Sequence, residues 1–322
     1  MRTTTLGPGG PEVGVIGLGC MGMSYAYDMA AARDEDTYVS VIRTALDLGV
    51  TLIDTADVYG PFTNEELVGR ALSGRYRDRA VLATKVGALS RDEQGKPVRA
   101  ENGRPDHIRR SIDESLQRLG TDHVDLYQLH RVDPEVPIEE SVGALAETVA
   151  AGKARAIGLS EVDVEQIKRA QTVHPIASVQ CELSLWTRDW MHDVLPYCQE
   201  QNIAFLPYSP LGRGFLTGRF TSVDDLPQDD VRRRMPRFQQ DAFQQNLAMV
   251  DRVREIAERI DVTPAQVALA WVLAQGQYVI PIPGTKTPKY LRDNAGAADI
   301  QLSESDLEAL NALPAPHGGR GN

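Results

Sequence analysis

Short apolar runs alternate with amphipathic helical patterns along almost the whole chain, and this alternation constrains the fold more than any other feature. The apolar runs lie near 13–18, 50–53, 80–84, 124–129, 155–159, 177–180, 203–207 and 278–282. Strands that alternate with helices favour a parallel sheet, and eight strands can close into a (β/α)8 barrel. We therefore predict a single α/β domain over residues 1–322, a TIM barrel, with an open doubly wound sheet as the alternative.

The helical patterns carry signals for where helices begin and end. Gly49 follows the first pattern, and Pro105 stands at the start of another, where its missing N–H leaves no hydrogen bond unmade. The predicted helices lie at 37–48, 105–118, 138–150, 163–171, 190–200 and 263–275.

Two segments interrupt the alternation. Residues 210–245 are rich in Arg, Asp, Gln and Gly, and they predict a long loop at the seventh strand, a length typical of functional lids. Residues 314–322 begin with Pro-Ala-Pro and predict a flexible tail.

A glycine pattern near the start offers the competing fold. The stretch Gly17-Leu-Gly-Cys-Met-Gly22 matches the dinucleotide fingerprint of an open Rossmann sheet. That fingerprint needs an acidic residue about 20 positions further on, at the end of the second strand. The next clear strand ends only at Asp54, so the glycines are predicted to form the first βα loop of a barrel and to let backbone approach a ligand.

Four reactive side chains follow three successive predicted strands. Asp54 and Tyr59 come after the second strand, Lys85 after the third and His130 after the fourth. Because barrel active sites lie at the carboxyl ends of the strands, we expect these side chains to meet. Each residue alone has a structural explanation, such as a loop cap or a solvated charge, but their combination indicates a site.

The chemistry of the four side chains suits the reduction of a carbonyl group. Hydride addition leaves an alkoxide that needs a proton, and a free phenol is a weak acid at neutral pH. A neighbouring ammonium lowers the pKa of the phenol, and a carboxylate keeps the ammonium charged and fixed. An imidazole can donate a hydrogen bond to the substrate oxygen. Tyr59 is therefore the predicted acid.

The four residues resemble the catalytic tetrad of the aldo-keto reductases, and the resemblance extends over almost the whole chain. The sequences around Trp186 and directly after His130 are similar to those of the bacterial and plant branch that includes pyridoxal and perakine reductases. This resemblance implies an NADPH-dependent oxidoreductase that reduces aldehydes or ketones to alcohols, with Tyr59 as general acid.

The resemblance also implies a cofactor site. Ser160 and Gln180 would hold the nicotinamide amide, and Tyr208 would stack on the ring. The backbone after Tyr208 would cradle the pyrophosphate, and the eighth strand's end would hold the 2′-phosphate and adenine. Glu161 stands where the family often has Asn. The implied contacts are Gly19, Cys20, Met21, Asp54, Ser160, Gln180, Tyr208, Ser209, Pro210, Leu211, Gly212, Arg213, Arg219, Gly284, Lys286, Tyr290 and Asn294.

Basic residues after the last strand predict the choice of cofactor. Lys286, Lys289 and Arg292 cluster after Gly284 in an otherwise acidic chain, at a predicted helix entrance. Backbone N–H groups and cations together suit a phosphate, so the sequence favours NADPH and NADP+ over NADH.

Composition excludes several other classes. The net charge of -11 argues against nucleic acid or an anionic membrane as a partner. No run approaches the ~18 apolar residues of a membrane span, and the N-terminus lacks the apolar core of a signal peptide. The six histidines show no metal-ligand spacing, and the three cysteines indicate reduced thiols in the cytoplasm. We expect a small-molecule carbonyl substrate and no metal; the sequence allows a homo-oligomer.

Two other functions fit parts of the pattern. Lys85 could form a Schiff base, as in lyases built on barrels. A cofactor-binding regulatory subunit similar to the potassium-channel beta subunits would share the fold without turnover. The substrate itself is not specified, but four side chains predict an apolar mouth: Met23, Tyr25, Trp186 and Phe215.

Overall fold

The computed structural model shows a curled parallel sheet with helices around it, and it describes residues 1–25, 27, 34–91 and 96–320. In these residues the strands are β1 (Thr3–Thr5), β2 (Glu12–Gly14), β3 (Leu18–Gly19), β4 (Leu52–Asp54), β5 (Val81–Val86), β6 (Ala88–Arg91), β7 (Pro97–Glu101), β8 (Val124–Leu129), β9 (Ala154–Ser160), β10 (Ser178–Gln180) and β11 (Ala204–Phe205). Seven of them form one parallel sheet in the order β11-β10-β9-β8-β5-β4-β3.

The α-helices of the described part lie between and after the sheet strands, as the alternation predicts. They are α1 (Glu35–Asp47), α2 (Thr63–Ala71), α3 (Pro105–Leu119), α4 (Ile138–Ala150), α5 (Val164–Gln171), α6 (Val194–Glu200), α7 (Gln240–Arg259), α8 (Pro264–Leu273), α9 (Pro288–Gly296) and α10 (Glu304–Asn311). Among these residues no helix is both long and apolar enough to cross a membrane.

The segment 278–284 closes the sheet into a barrel. Phe205 donates its N–H to Tyr278 O on one side, and Gly19 donates to Pro283 O on the other. Parallel bridges pair the segment with both edge strands. Pro281 and Pro283 have no N–H to donate, which explains why the predicted eighth strand is not a continuous ladder. The TIM-barrel prediction is confirmed, and the open-sheet alternative is wrong.

The prediction of one strand over 13–18 is wrong. β2 pairs antiparallel with β1, and only β3 belongs to the parallel sheet. Leu6 and Val13, from this N-terminal hairpin, are buried in the apolar cluster that fills the barrel. The hairpin therefore covers one end of the barrel, and the chain enters the sheet after it.

Side-chain alternation along the sheet strands places the site. Every second residue of a strand faces the same side of the sheet. The residues that face the inside of the barrel are apolar in the first part of each strand, such as Ala83 and Leu126. Towards the carboxyl ends they are polar, such as Lys85 and Gln128. The apolar residues fill the core, and the polar residues form a ring at one mouth.

The two segments that interrupt the alternation differ from their predictions. The predicted loop 210–245 contains short 3-10 helices, and its last six residues already belong to α7. The predicted flexible tail 314–322 packs on the barrel as far as Arg320: His317 N donates to Asn246 Oδ1 at 2.8 Å. Residues 321–322 of the tail lie outside the described residues.

Candidate active site

The strand ends bring Asp54, Tyr59, Lys85 and His130 together at one mouth of the barrel. Lys85 Nζ donates to Asp54 Oδ1 at 2.5 Å and to Tyr59 Oη at 3.4 Å. The rings of Tyr59 and His130 meet edge to face, with their centroids 5.7 Å apart. All four side chains are buried. The four predicted site residues therefore lie together, linked through Lys85 and Tyr59.

Lys85 is charged although it is fully buried. Burial lowers the pKa of its ammonium, but the charges and hydrogen bonds of Asp54 and Tyr59 raise the pKa further, so the net shift is upward. Thr55 O accepts a third hydrogen bond from Nζ at 2.9 Å. The carboxylate and the two other acceptors offset part of the cost of burying this cation.

The pKa of Tyr59 differs from the sequence prediction. Burial raises it, and the charge of Lys85 lowers it by less, so the net shift is upward rather than downward. The phenol therefore keeps its proton at neutral pH, which is the state that a general acid needs. An ammonium at this distance is able to stabilise a tyrosinate.

His130 is a neutral imidazole. Burial, followed by the charges of Lys85 and Arg131, lowers the pKa of His130 well below its usual range. Its Nδ1 atom is buried and has no hydrogen-bond partner in the described part of the protein. A neutral ring with an unpaired nitrogen can give or accept one hydrogen bond beside Tyr59.

Two glutamines hold Asp54 from the side opposite Lys85. Gln180 Nε2 donates to Asp54 Oδ2 at 2.9 Å, and Gln128 Nε2 donates to the same oxygen at 3.3 Å. Gln180 is predicted to bind the nicotinamide amide, and in this structure its amide group donates to the carboxylate. Sequence reasoning missed Gln128, although a polar residue inside the apolar strand β8 was a signal for an inward position at the site.

The residues expected around a nicotinamide ring lie at neighbouring strand ends. Ser160 Oγ accepts a hydrogen bond from Arg131 Nη1 at 3.2 Å, which leaves its own hydroxyl proton for another acceptor. Tyr208 pairs with Glu182 through a parallel bridge, which holds its backbone beside β10. A hydroxyl donor and an aromatic ring at one mouth suit a carboxamide and a flat ring, so these residues fit the cofactor.

The backbone after Tyr208 is coiled so that it can approach a phosphate. Ser209, Gly212, Arg213 and Gly214 all have positive φ, between 49° and 91°. Successive N–H groups in this conformation form an anion-binding concavity. Pro210 and Leu211 belong to the same turn, in which Gly212 N donates to Ser209 O.

Two arginines of the predicted loop, Arg213 and Arg219, contact protein groups in this structure. Arg213 donates to Tyr27 Oη at 3.1 Å and lies 3.7 Å from Glu182, so its side chain is held by protein groups. Arg219 is exposed, and its guanidinium lies over the Phe220 ring. In the same loop, Arg232 forms a buried ion pair with Asp230 rather than facing solvent.

The entrance of α9 has the groups expected of a 2′-phosphate site. Thr287 caps the helix without a side-chain hydrogen bond, so first-turn N–H groups are available. Lys289 and Arg292 are exposed and form no ion pair with the described residues, and Lys286 is half-buried just before the helix. Tyr290 is exposed and Asn294 is buried. N–H groups and cations at one helix start fit a phosphate dianion.

The first βα loop lies directly beside the tetrad. Cys20 N donates to Asp54 O at 2.9 Å, and Met21 begins a 3-10 helix that leads away from Gly19. Gly19 bridges to Gly284, so the first and last strand ends meet here. These residues therefore adjoin both the tetrad and the end of the last strand, where a phosphate site is predicted.

The predicted apolar mouth is only partly right. Tyr25 is partly exposed and stacks on Tyr59, with ring centroids 6.3 Å apart, so it lies at the entrance. Trp186 and Phe215 stack on each other in a buried aromatic cluster with Phe238. The prediction for those two residues is wrong, because their rings fill the core beneath the loop. Met23 is buried in the first βα loop, at the end of the 3-10 helix Met21–Met23.

Comparisons of sequence and of structure with known proteins find similar proteins of one kind. The sequence profile of the Aldo/keto reductase family matches residues 15–315. "Probable aldo-keto reductase 1" of Glycine max is 45% identical over 315 residues, 98% of this chain and 89% of that protein. The aldo-keto reductase yakc of Schizosaccharomyces pombe, whose name specifies NADP(+), is 42% identical over 306 residues, 94% of this chain and 88% of that protein. The structure of glycerol dehydrogenase AKR11B4 from Gluconobacter oxydans superposes with a TM-score of 0.84 at 34% identity, covering 94% of this chain and 91% of that one.

Proposed function

Because this chain belongs to the aldo/keto reductase family and is an oxidoreductase, we propose that it reduces aldehydes or ketones to alcohols with NADPH, with Tyr59 as the general acid. The observation that supports this proposal most strongly is the position of Lys85. Its fully buried ammonium contacts Asp54 and Tyr59 at the mouth of the barrel. A charge buried at this cost is expected where a developing negative charge must be stabilised.

Each member of the tetrad has a defined part in the proton transfer. NADPH, when bound, supplies the hydride. Tyr59 Oη donates its proton to the oxygen of the reduced carbonyl, and Lys85 stabilises the tyrosinate that remains. Asp54, held by Gln180 and Gln128, fixes the ammonium. His130, neutral and edge-on to Tyr59, orients the substrate oxygen by a hydrogen bond.

An assay for NADPH oxidation tests the proposed function. The purified protein is mixed with NADPH and with panels of aldehydes, ketones, quinones and pyridoxal, and the loss of NADPH absorbance is followed. We expect turnover with at least one carbonyl class and formation of the matching alcohol. A protein that binds NADPH but oxidises it with none of these compounds would favour the regulatory-subunit function instead.

The pH dependence of hydride transfer should be flat around neutrality. Burial raises the pKa of Tyr59 above its usual value near 10, so the phenol stays protonated below that pH. Burial lowers the pKa of His130 well below its usual value near 6.5, so the imidazole stays neutral above that pH. Single-turnover rates at saturating NADPH should therefore change little between about pH 7 and 9. A descending limb centred near pH 8 would mean that another group is the acid.

The cofactor preference should depend on the cations at α9. We expect NADPH to bind at least about tenfold more tightly than NADH, a difference of ~1.4 kcal/mol, because the 2′-phosphate is held by Lys286 and its neighbours. Lys286→Ala should narrow this difference and weaken its dependence on salt. Lys168→Ala on the outer helix α5 is the matched control. Equal affinity of the unmodified protein for the two cofactors, measured by fluorescence titration, would refute this assignment.

The cysteines and the net charge bear on the substrate class and the cellular compartment. We propose a small-molecule carbonyl as the substrate and the cytoplasm as the compartment. Cys20, Cys181 and Cys198 are free and buried, which suits a reducing environment. The acidic net charge of -11 gives no support to a nucleic-acid partner.

A further inference from the structure

The tail residue Arg320 reaches the mouth of the barrel. Besides the exposed Asp189, whose Oδ2 lies 4.0 Å from Nη1, its guanidinium contacts three side chains there. Its Nη2 donates to Tyr208 Oη at 3.0 Å and to Glu161 Oε2 at 3.0 Å, and it lies 3.3 Å from Glu182 Oε2. The preceding tail is anchored, because Arg237 Nε donates to Gly318 O at 3.2 Å. The guanidinium is therefore held at the strand ends by both its backbone and its side-chain partners.

The two glutamates bound by Arg320 form a concentrated negative charge. The side chains of Glu161 and Glu182 are only 11% and 3% exposed. Glu161 Oε1 accepts the backbone N–H of Glu182 at 3.0 Å, so the two residues are adjacent. Glu182 also lies 3.7 Å from the guanidinium of Arg213. Two buried carboxylates this close to each other are costly without a cation between them.

This charge cluster borders the residues that would contact a nicotinamide ring. Glu161 directly follows Ser160, and Glu182 pairs with Tyr208 through a β-bridge. Tyr208 itself is tied to Arg320 by its hydroxyl group. The oxidised nicotinamide ring carries a positive charge and the reduced ring is neutral. Uncompensated carboxylates here would favour the oxidised cofactor by Coulomb attraction.

We propose that Arg320 is a positioning residue that neutralises Glu161 and Glu182 beside the nicotinamide subsite and orients Tyr208. It thereby keeps the site from favouring NADP+ over NADPH. This inference rests on the proposed contact between Tyr208 and the nicotinamide ring. It differs from a substrate-binding role, since all the contacts of the guanidinium named above are made to protein groups.

The test compares the affinities of the two redox forms in charge variants. Arg320→Met removes the charge with little change in length, Arg320→Lys keeps the charge, and Glu161→Gln combined with Arg320→Met removes one charge of each sign. Dissociation constants for NADP+ and NADPH are measured by protein fluorescence. Thermal unfolding of each variant shows whether it is folded.

The ratio of the two dissociation constants is the decisive quantity. Arg320→Met should shift it towards NADP+ by at least about threefold, because the two carboxylates then act on the oxidised ring. Arg320→Lys should have the same ratio as the unmodified protein. In the double variant the ratio should be close to that of the unmodified protein. Displacement of Tyr208 alone would weaken the binding of NADP+ and NADPH equally and leave the ratio of their dissociation constants unchanged.

Three results overturn the inference in distinguishable ways. An unchanged ratio in a folded Arg320→Met variant refutes the electrostatic role. A shift of the same size in Arg320→Lys shows that shape rather than charge is responsible. If the unmodified protein binds neither NADP+ nor NADPH, the proposed function fails, and this inference fails with it.

Discussion

Replacing Tyr59 with Phe should lower the rate of carbonyl reduction by about 10²–10⁴, the range that general acid catalysis contributes. The ring would keep its packing against His130 and Tyr25, so the shape of the site should survive. Only the hydroxyl that contacts Lys85 Nζ would be lost. The dissociation constant for NADPH should therefore change little while kcat falls.

A second tyrosine provides the matched control for this substitution. Tyr197 on the outer helix α6 donates its hydroxyl to Gln171, away from the tetrad. Tyr197→Phe should leave kcat unchanged, which would show that loss of a phenol as such is harmless. Near-normal turnover in Tyr59→Phe would remove Tyr59 from the proposed mechanism.

Replacing Lys85 with Met should abolish most activity, by more than about a hundredfold, because the tyrosinate would lose its stabilising charge. Asp54→Asn should cause a smaller loss, because it weakens the positioning of the ammonium without removing it. NADPH should still quench protein fluorescence in both variants. Steady-state kinetics and binding titrations, run side by side, measure the two effects separately.

The Lys85 variant needs a structural control because removing one partner of a buried ion pair is destabilising. Among the side chains of residues 1–25, 27, 34–91 and 96–320, Lys85→Met leaves Asp54 with the amide donors Gln180 and Gln128. Combining Lys85→Met with Asp54→Asn removes both charges and should recover stability, as measured by thermal unfolding, but not activity. Recovery of activity in the double variant would contradict the proposed role of the ammonium.

The same lysine distinguishes reduction from Schiff-base chemistry. A lyase would form a covalent adduct at Lys85 that borohydride traps during turnover. We expect no adduct by mass spectrometry, because Nζ is saturated by Asp54, Tyr59 and Thr55 O. A trapped adduct at Lys85 would favour the lyase.

The barrel and the tetrad could be predicted from the sequence because both depend on local patterns. The alternation of apolar runs with amphipathic stretches located six of the helices: α4 spans Ile138–Ala150, the range predicted for it. The helices α2, α7 and α10 were not among those predicted. Asp54 ends β4, Lys85 is the penultimate residue of β5 and His130 directly follows β8, so their convergence followed from the barrel topology.

The features that sequence reasoning missed depend on contacts between distant segments. Arg320 lies 159 positions from Glu161, and a tail rich in Gly and Pro gives no signal that it will pack. Trp186 and Phe215 were assigned to the mouth, but tertiary packing with Phe238 places them in the core. The pKa of Tyr59 was misjudged in direction because the extent of burial is not visible in the sequence.

The most direct test of the central claim follows the hydride itself. The protein is incubated with a carbonyl substrate from the screen and NADPH deuterated at the transferred position, and the product is examined by mass spectrometry and NMR. The account predicts one NADPH oxidised for each alcohol formed, with deuterium on the former carbonyl carbon. Consumption of the carbonyl compound without oxidation of NADPH, or an alcohol that carries no deuterium, would contradict it.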